Sequence, residues 1–128
     1  MSRIKGGRRA LGPPVTWETF RELTREFPGV EEGISWGTPS LKARGKMLAR
    51  HREGGETLVL SIEQDARAVL VETDPEADFY TDHYENYPAM LIRLNAIRID
   101  DLKELIENVW RELAPRHIVA AYDFQCDH

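Results

Sequence analysis

Two clusters of side chains in this chain have the types and spacing to do chemistry. The first lies in residues 38–52, Thr-Pro-Ser-Leu-Lys-Ala-Arg-Gly-Lys-Met-Leu-Ala-Arg-His-Arg, which carry Lys42, Arg44, Lys46, Arg50 and Arg52 and no acid. Ammonium and guanidinium groups placed this way can neutralise phosphates, and each phosphate contact steepens the salt dependence of binding. Four contacts, from Lys42, Arg44, Lys46 and Arg50, predict a log–log salt slope of about −3.6. The same charges could instead protect an exposed strand edge from pairing with another chain. Trp36, just upstream, could stack on a base or anchor a core at a strand end. The second cluster is Asp82-His83-Tyr84, near Asp78, Glu85 and Tyr87. A histidine among carboxylates can move a proton or hold a metal; in a polar loop it can equally hydrogen-bond locally.

The surrounding pattern narrows these options. His83 has no HxH, HxxxH or CxxC companion, so no metal and no cofactor is expected; His51 and His117 would have to reach it through the fold. No GxSxG, Walker or dinucleotide glycine motif is present. Asp82, His83 and Tyr84 therefore stand as a candidate ligand-binding loop. The chain is expected to bind rather than catalyse.

The elements that would position these residues can be read from periodicity. Thr16 is a good N-cap, and Trp17, Phe20, Leu23, Thr24 and Phe27 follow at helical spacing until Phe27-Pro28-Gly29 ends the helix. Short strands are expected at 34–36, 40–43, 47–52 and 57–62, with Arg44-Gly45-Lys46 as a tight turn and 53–56 as a looser one. A short helix over 64–72 would half-bury Ala68, Val69 and Val71. Phe79-Tyr80 and 89–97 read as the last strands, the latter with Met90, Ile92, Leu94 and Ala96 inward and Leu91, Arg93, Asn95 and Ile97 outward. A long final helix has Asp101 as N-cap, Glu104 at capping-box spacing, and Leu102, Leu105, Ile106, Val109, Trp110 and Leu113 as its apolar stripe. Arg111 and Arg116 near its end would complement its dipole. Pro115 breaks it, leaving a turn or two of helix up to Tyr122. This order predicts an α+β fold: an antiparallel sheet with helices packed on one face, N-terminal and C-terminal helices flanking the meander. One domain is expected over 15–122, with a flexible basic arm over 1–14 and a tail over 123–128.

Charge sets the partner classes. The 128 residues carry a formal charge of −5, and residues 53–85 hold ten acids against Arg67 alone. An anionic partner would meet one favourable face and be repelled by another. No apolar run approaches the roughly 20 residues that span a bilayer, so no membrane partner is expected. A single cysteine, Cys126, leaves no internal disulfide and points to the cytoplasm.

The segment Gly33-Ile34-Ser35-Trp36-Gly37-Thr38-Pro39-Ser40-Leu41-Lys42-Ala43-Arg44-Gly45-Lys46-Met47-Leu48-Ala49 resembles the central signature of the MmcQ/YjbR-like family. Thr81-Asp82-His83-Tyr84-Glu85-Asn86-Tyr87-Pro88 and Trp110-Arg111-Glu112-Leu113-Ala114-Pro115-Arg116 agree with it too, and the likeness covers about residues 15–120. The resemblance implies a small α+β domain that binds DNA, with projecting β-rich wings straddling a duplex. On this chain that role would fall to Lys42, Arg44, Lys46, Arg50 and Trp36. Two alternatives stand beside it: an adaptor domain whose unpaired sheet edge and basic hairpin grip an acidic protein partner, or a small-molecule-binding or enzymatic domain around the Asp82-His83-Tyr84 loop.

Overall fold

The computed structural model describes residues 15–126 except 36 and 53–55, with the side chain of Cys126 also outside the description. The expected basic arm, the stacking role for Trp36 and the last two residues of the expected tail therefore lie outside the described residues. Helix α1 spans Trp17–Thr24, and Thr16 caps it by exchanging hydrogen bonds with Thr19. Trp17, Phe20 and Thr24 turn inward. After α1 come β1 (Val30–Ser35), β2 (Thr38–Ala43), β3 (Lys46–His51), β4 (Thr57–Ser61), α2 (Gln64–Thr73), β5 (Asp78–Phe79), a short 3-10 turn (Asp82–Tyr84), β6 (Ala89–Arg93), α3 (Ile99–Leu113) and α4 (Arg116–Cys126).

Among the described residues the strands form one six-stranded antiparallel sheet in the order β1-β2-β3-β4-β6-β5. Helices cover one face of it, as the element order predicts. Leu41, Leu48, Leu58, Leu60, Met90 and Ile92 from the sheet meet Phe20, Leu102, Ile106 and Trp110 from α1 and α3 in a single core. Trp110 is completely buried and donates its indole N–H to the Pro28 carbonyl at 2.9 Å. This bond ties α3 to the chain that leaves α1. The β2–β3 turn is the two-residue kind: Arg44 and Gly45 both take positive φ, 58° and 76°, which matches the twist of the flanking strands. Beyond the turn the pairing steps from Lys42–Met47 to Leu41–Ala49, so Leu48 is an extra residue on β3. Leu48 and Ala49 are both fully buried.

Several expectations are corrected. Strand β1 begins at Val30, four residues earlier than the pattern suggests, because an edge strand exposed along Glu31–Ile34 has no inward face to produce alternation. Strand β6 ends at Arg93, and a turn over 94–97 carries Ile97 into the core. Leu91 is not on a solvated face: it is buried with Val59 and Ala89 beneath Phe79 and Tyr84 on the far side of the sheet. In α2 it is Arg67 that is buried, while Ala68 and Val69 are exposed and Leu70 and Val71 half-buried. Helix α3 starts two residues before Asp101; Arg98 occupies the cap position, and Asp101 is a buried first-turn residue. Arg111 does sit in the last turn of α3, and there it also binds Glu107 and chelates Asp123 at 2.7 and 3.1 Å. That link helps hold α4, which runs 11 residues to Cys126, past the expected boundary at Tyr122. No helix among the described residues is long and apolar enough to cross a membrane.

Candidate functional site

The sheet face opposite α1 and α3 carries the site. Strand register lines up a row across it: Gly33, Ser40, Arg50, Val59, Leu91 and Phe79. Arg52 lies two residues beyond Arg50 and so shares its face. The loop over 80–88 folds across β4 and β6 and reaches β3 through Tyr84. The remaining gap is a cleft of about 830 Å³ with Met47, Val59 and Ala89 as an apolar floor, Arg50 and Arg52 along one wall, and His83, Tyr84 and Tyr87 along the other.

Arg50 is half-buried and fixed by neutral groups. Its Nη1 donates to Thr38 Oγ1 at 3.2 Å and its Nη2 to Tyr84 Oη at 3.1 Å. Thr38 in turn donates to the Ser35 carbonyl. Among the described residues no carboxylate forms an ion pair with Arg50 or Arg52. The guanidinium charge is thus held in place without a carboxylate partner among the described residues. Across the gap, His83 meets Tyr84 edge-on at 4.9 Å and Tyr87 at 6.1 Å between ring centres.

The loop owes its position to Arg67, the lone cation in the acidic stretch. Its Nη1 lies 2.8, 3.0 and 3.0 Å from the carbonyls of Tyr84, Tyr87 and Ala89, and its Nη2 donates to Glu85 O at 2.9 Å. The Tyr80 ring covers the guanidinium at 3.9 Å. A planar group with five donors suits several carbonyls converging from one loop, whereas an ammonium offers no such fork. Gln64 adds a bond to the Glu85 carbonyl at 2.9 Å. The loop is therefore held as a rigid wall even though most of its side chains are exposed.

The two clusters singled out in the sequence meet at this cleft, but only in part. Arg50 leaves the basic group to join Tyr84. Lys42, Arg44 and Lys46 stay exposed on the hairpin, with Glu31 directly across from Lys42 in register. His83 and Tyr84 line the cleft; Asp82 is exposed on the 3-10 turn and does not. His51 faces the other way, stacked flat on Trp17 at 5.0 Å, and His117 is exposed on α4. Among the described residues no group of three His, Cys, Asp or Glu side chains could hold a metal ion. Strand-edge protection does not account for the hairpin charges, because β2 and β3 are interior strands. The free edge at β1 carries Glu31, across from Lys42 in register, and Glu32, paired with Arg21 at 3.0 Å.

Arg67 escapes a reading by motif, and Arg52 and Tyr87, named with the two clusters, had no site role assigned to them. Arg52 was within reach, since two-residue spacing from Arg50 on a strand places both on one face. Arg67 had a signal in its isolation among ten acids. Tyr87 had one in its place beside the Asp82-His83-Tyr84 cluster.

The family model for YjbR matches residues 25–112 of this chain. The chain belongs to the YjbR family. The matched region begins where α1 ends and runs to the last turn of α3, so it contains the whole sheet, the hairpin, the Arg67 clamp and the cleft. Among curated proteins, this YjbR-family chain is 29% identical to "Uncharacterized protein Rv2570" of Mycobacterium tuberculosis, over 95% of this chain and 92% of that one. "Uncharacterized protein Mb2600" of Mycobacterium bovis matches with the same identity and coverage. No solved structure matches the chain.

Proposed function

We propose that this YjbR-family domain is a non-enzymatic binding protein that takes the phosphate backbone of DNA on the β2–β3 hairpin. One observation carries the reading: Lys42, Arg44 and Lys46 are exposed around a tight turn between two interior strands, with no ion-pair partner among the described residues. A two-stranded ribbon of this kind fits the major groove. The non-enzymatic part is supported by the cleft's polar groups. The Ser61 hydroxyl donates to the Met47 carbonyl, and His83 packs against aromatic rings.

The charge balance makes the interaction weak and strongly salt-sensitive. Arg50 is committed to the cleft, so three cations remain, and the slope falls from about −3.6 to about −2.7. Between 50 and 200 mM salt that is a loss of roughly 40-fold in affinity. The experiment is a titration of short duplex DNA at both salt concentrations with the native protein and a Lys42→Ala, Arg44→Ala, Lys46→Ala variant. The expected result is binding at low salt, the stated loss at high salt, and a flattened slope in the variant. No binding at the lower salt, or an unchanged slope in the variant, overturns the reading.

A further inference from the structure

We propose that the cleft between β3, β4 and the 80–88 loop is a separate site for a small molecule: a flat ring carrying one anionic group, carboxylate or phosphate. The proposal does not depend on the hairpin binding DNA.

The argument begins with Arg50. Its guanidinium is half-buried and oriented by two hydroxyls, yet among the described residues no carboxylate offsets its charge. A cation partly withdrawn from water and held by neutral acceptors is favourable to an incoming anion, because the geometry exists before the ligand arrives. Arg52 adds a second positive charge on the same wall. A cationic ligand would be repelled by this pair. A neutral apolar ligand would strip more water from Arg50 and return no counter-charge.

The rest of the cleft excludes a bare anion. The floor of Met47 and Val59 is apolar, and a phosphate or sulfate seated at Arg50 would leave it wet. The volume of about 830 Å³ is in the range of small-molecule sites and far above what an inorganic anion fills. Tyr87, 56% exposed, and His83 present ring faces and edges at the rim, a setting for a flat ring between them and the floor. The wall they sit on is fixed by Arg67, so little ordering is needed on binding.

The test uses the full chain and four probes: phenyl phosphate and benzoate as ring anions, inorganic phosphate and phenol as their separate halves. Binding is followed by amide chemical shifts. At least one ring anion is expected to saturate, to bind about tenfold or more tightly than either half, and to shift Val59, Tyr84 and Ala89 most. Arg52→Gln and Tyr87→Ser, neither of which removes a side-chain hydrogen bond among the described residues, are expected to weaken binding several-fold while the spectrum stays folded. Arg50→Gln is expected to weaken it further. The Lys42→Ala, Arg44→Ala, Lys46→Ala variant is expected to bind the ring anion normally, which separates this site from the hairpin. The proposal is overturned if neither ring anion saturates by about 10 mM, if inorganic phosphate binds as well as phenyl phosphate, or if Arg52→Gln and Tyr87→Ser leave binding unchanged.

Discussion

Replacing Arg67 by methionine tests the idea that one buried guanidinium holds the cleft's outer wall. Methionine keeps the length and apolar stem of the side chain and removes its donors. The four carbonyls it serves do not lose equally. Tyr84 O still accepts from the Tyr87 amide, Tyr87 O from the Ala89 amide, and Glu85 O from Gln64. The bond to Ala89 O is the one buried outright, so its loss carries most of the desolvation penalty, about 1–3 kcal/mol. Loss of the Tyr80 contact adds about 0.5–1 kcal/mol. Relief from burying a charge offsets part of the loss of the other three bonds. The net expectation is destabilisation of about 3 kcal/mol, read as a Tm lower by roughly 10 °C. Arg67→Lys should recover less than half of this, because an ammonium cannot span carbonyls on both sides of the loop. Urea denaturation of the native protein and both variants measures it. A loss below about 1 kcal/mol for methionine, or full recovery by lysine, refutes the clamp.

Three further outcomes are expected. Trp110→Phe, which gives up the indole bond to the Pro28 carbonyl and leaves a small void against Phe27 and Tyr122, should cost about 2 kcal/mol in urea unfolding. Arg44→Asn should stabilise the fold by about 0.5 kcal/mol, since Asn-Gly suits a turn with two positive φ angles, whereas Gly45→Ala should cost about 1 kcal/mol; thermal melts distinguish the signs. Arg111 holds the Asp123 carboxyl below its ordinary value of 3.8 through their hydrogen bonds. A carboxylate whose folded pKa is depressed stabilises fully above its unfolded pKa and loses that contribution as pH falls through the folded one. Acid titration followed by helix signal should therefore show α4 loosening below about pH 4 in the native protein. The Asp123→Asn variant should lack that pH-dependent contribution.

The sequence carried the fold wherever one local signal sufficed. Thr16 with Trp17 and Phe20 marks α1, Arg44-Gly45 marks the hairpin turn, and the stripe from Leu102 to Trp110 marks α3. It failed where burial was unusual. Residues 89–92 are buried on both faces, so alternation assigned Leu91 wrongly to solvent; β1 is exposed along most of its length, so its start carried no pattern. The site was half legible for a different reason. His83, Tyr84 and Arg50 were each conspicuous, but the contact between Arg50 and Tyr84 joins positions 34 residues apart and depends on strand order. Arg67 was hidden because a charged residue in an amphipathic helix reads as solvent-facing until several carbonyls are seen to converge on it.

The extra residue at Leu48 has one more implication. In a strand with strict two-residue alternation, losing one residue inverts every side chain beyond it. Strand β3 has a spare link. Removing Leu48 would pair Leu41 with Ala49 and Lys42 with Met47 as consecutive steps of a regular ladder, and Arg50 and Arg52 would keep their side of the sheet. The cost would be one fully buried leucine, about 2–5 kcal/mol on the scale of leucine truncations. Chains of this type can therefore differ in length by one residue between the hairpin and the cleft without exchanging inside for outside, and a gap at that point in a sequence comparison would not mean that the cleft has been lost.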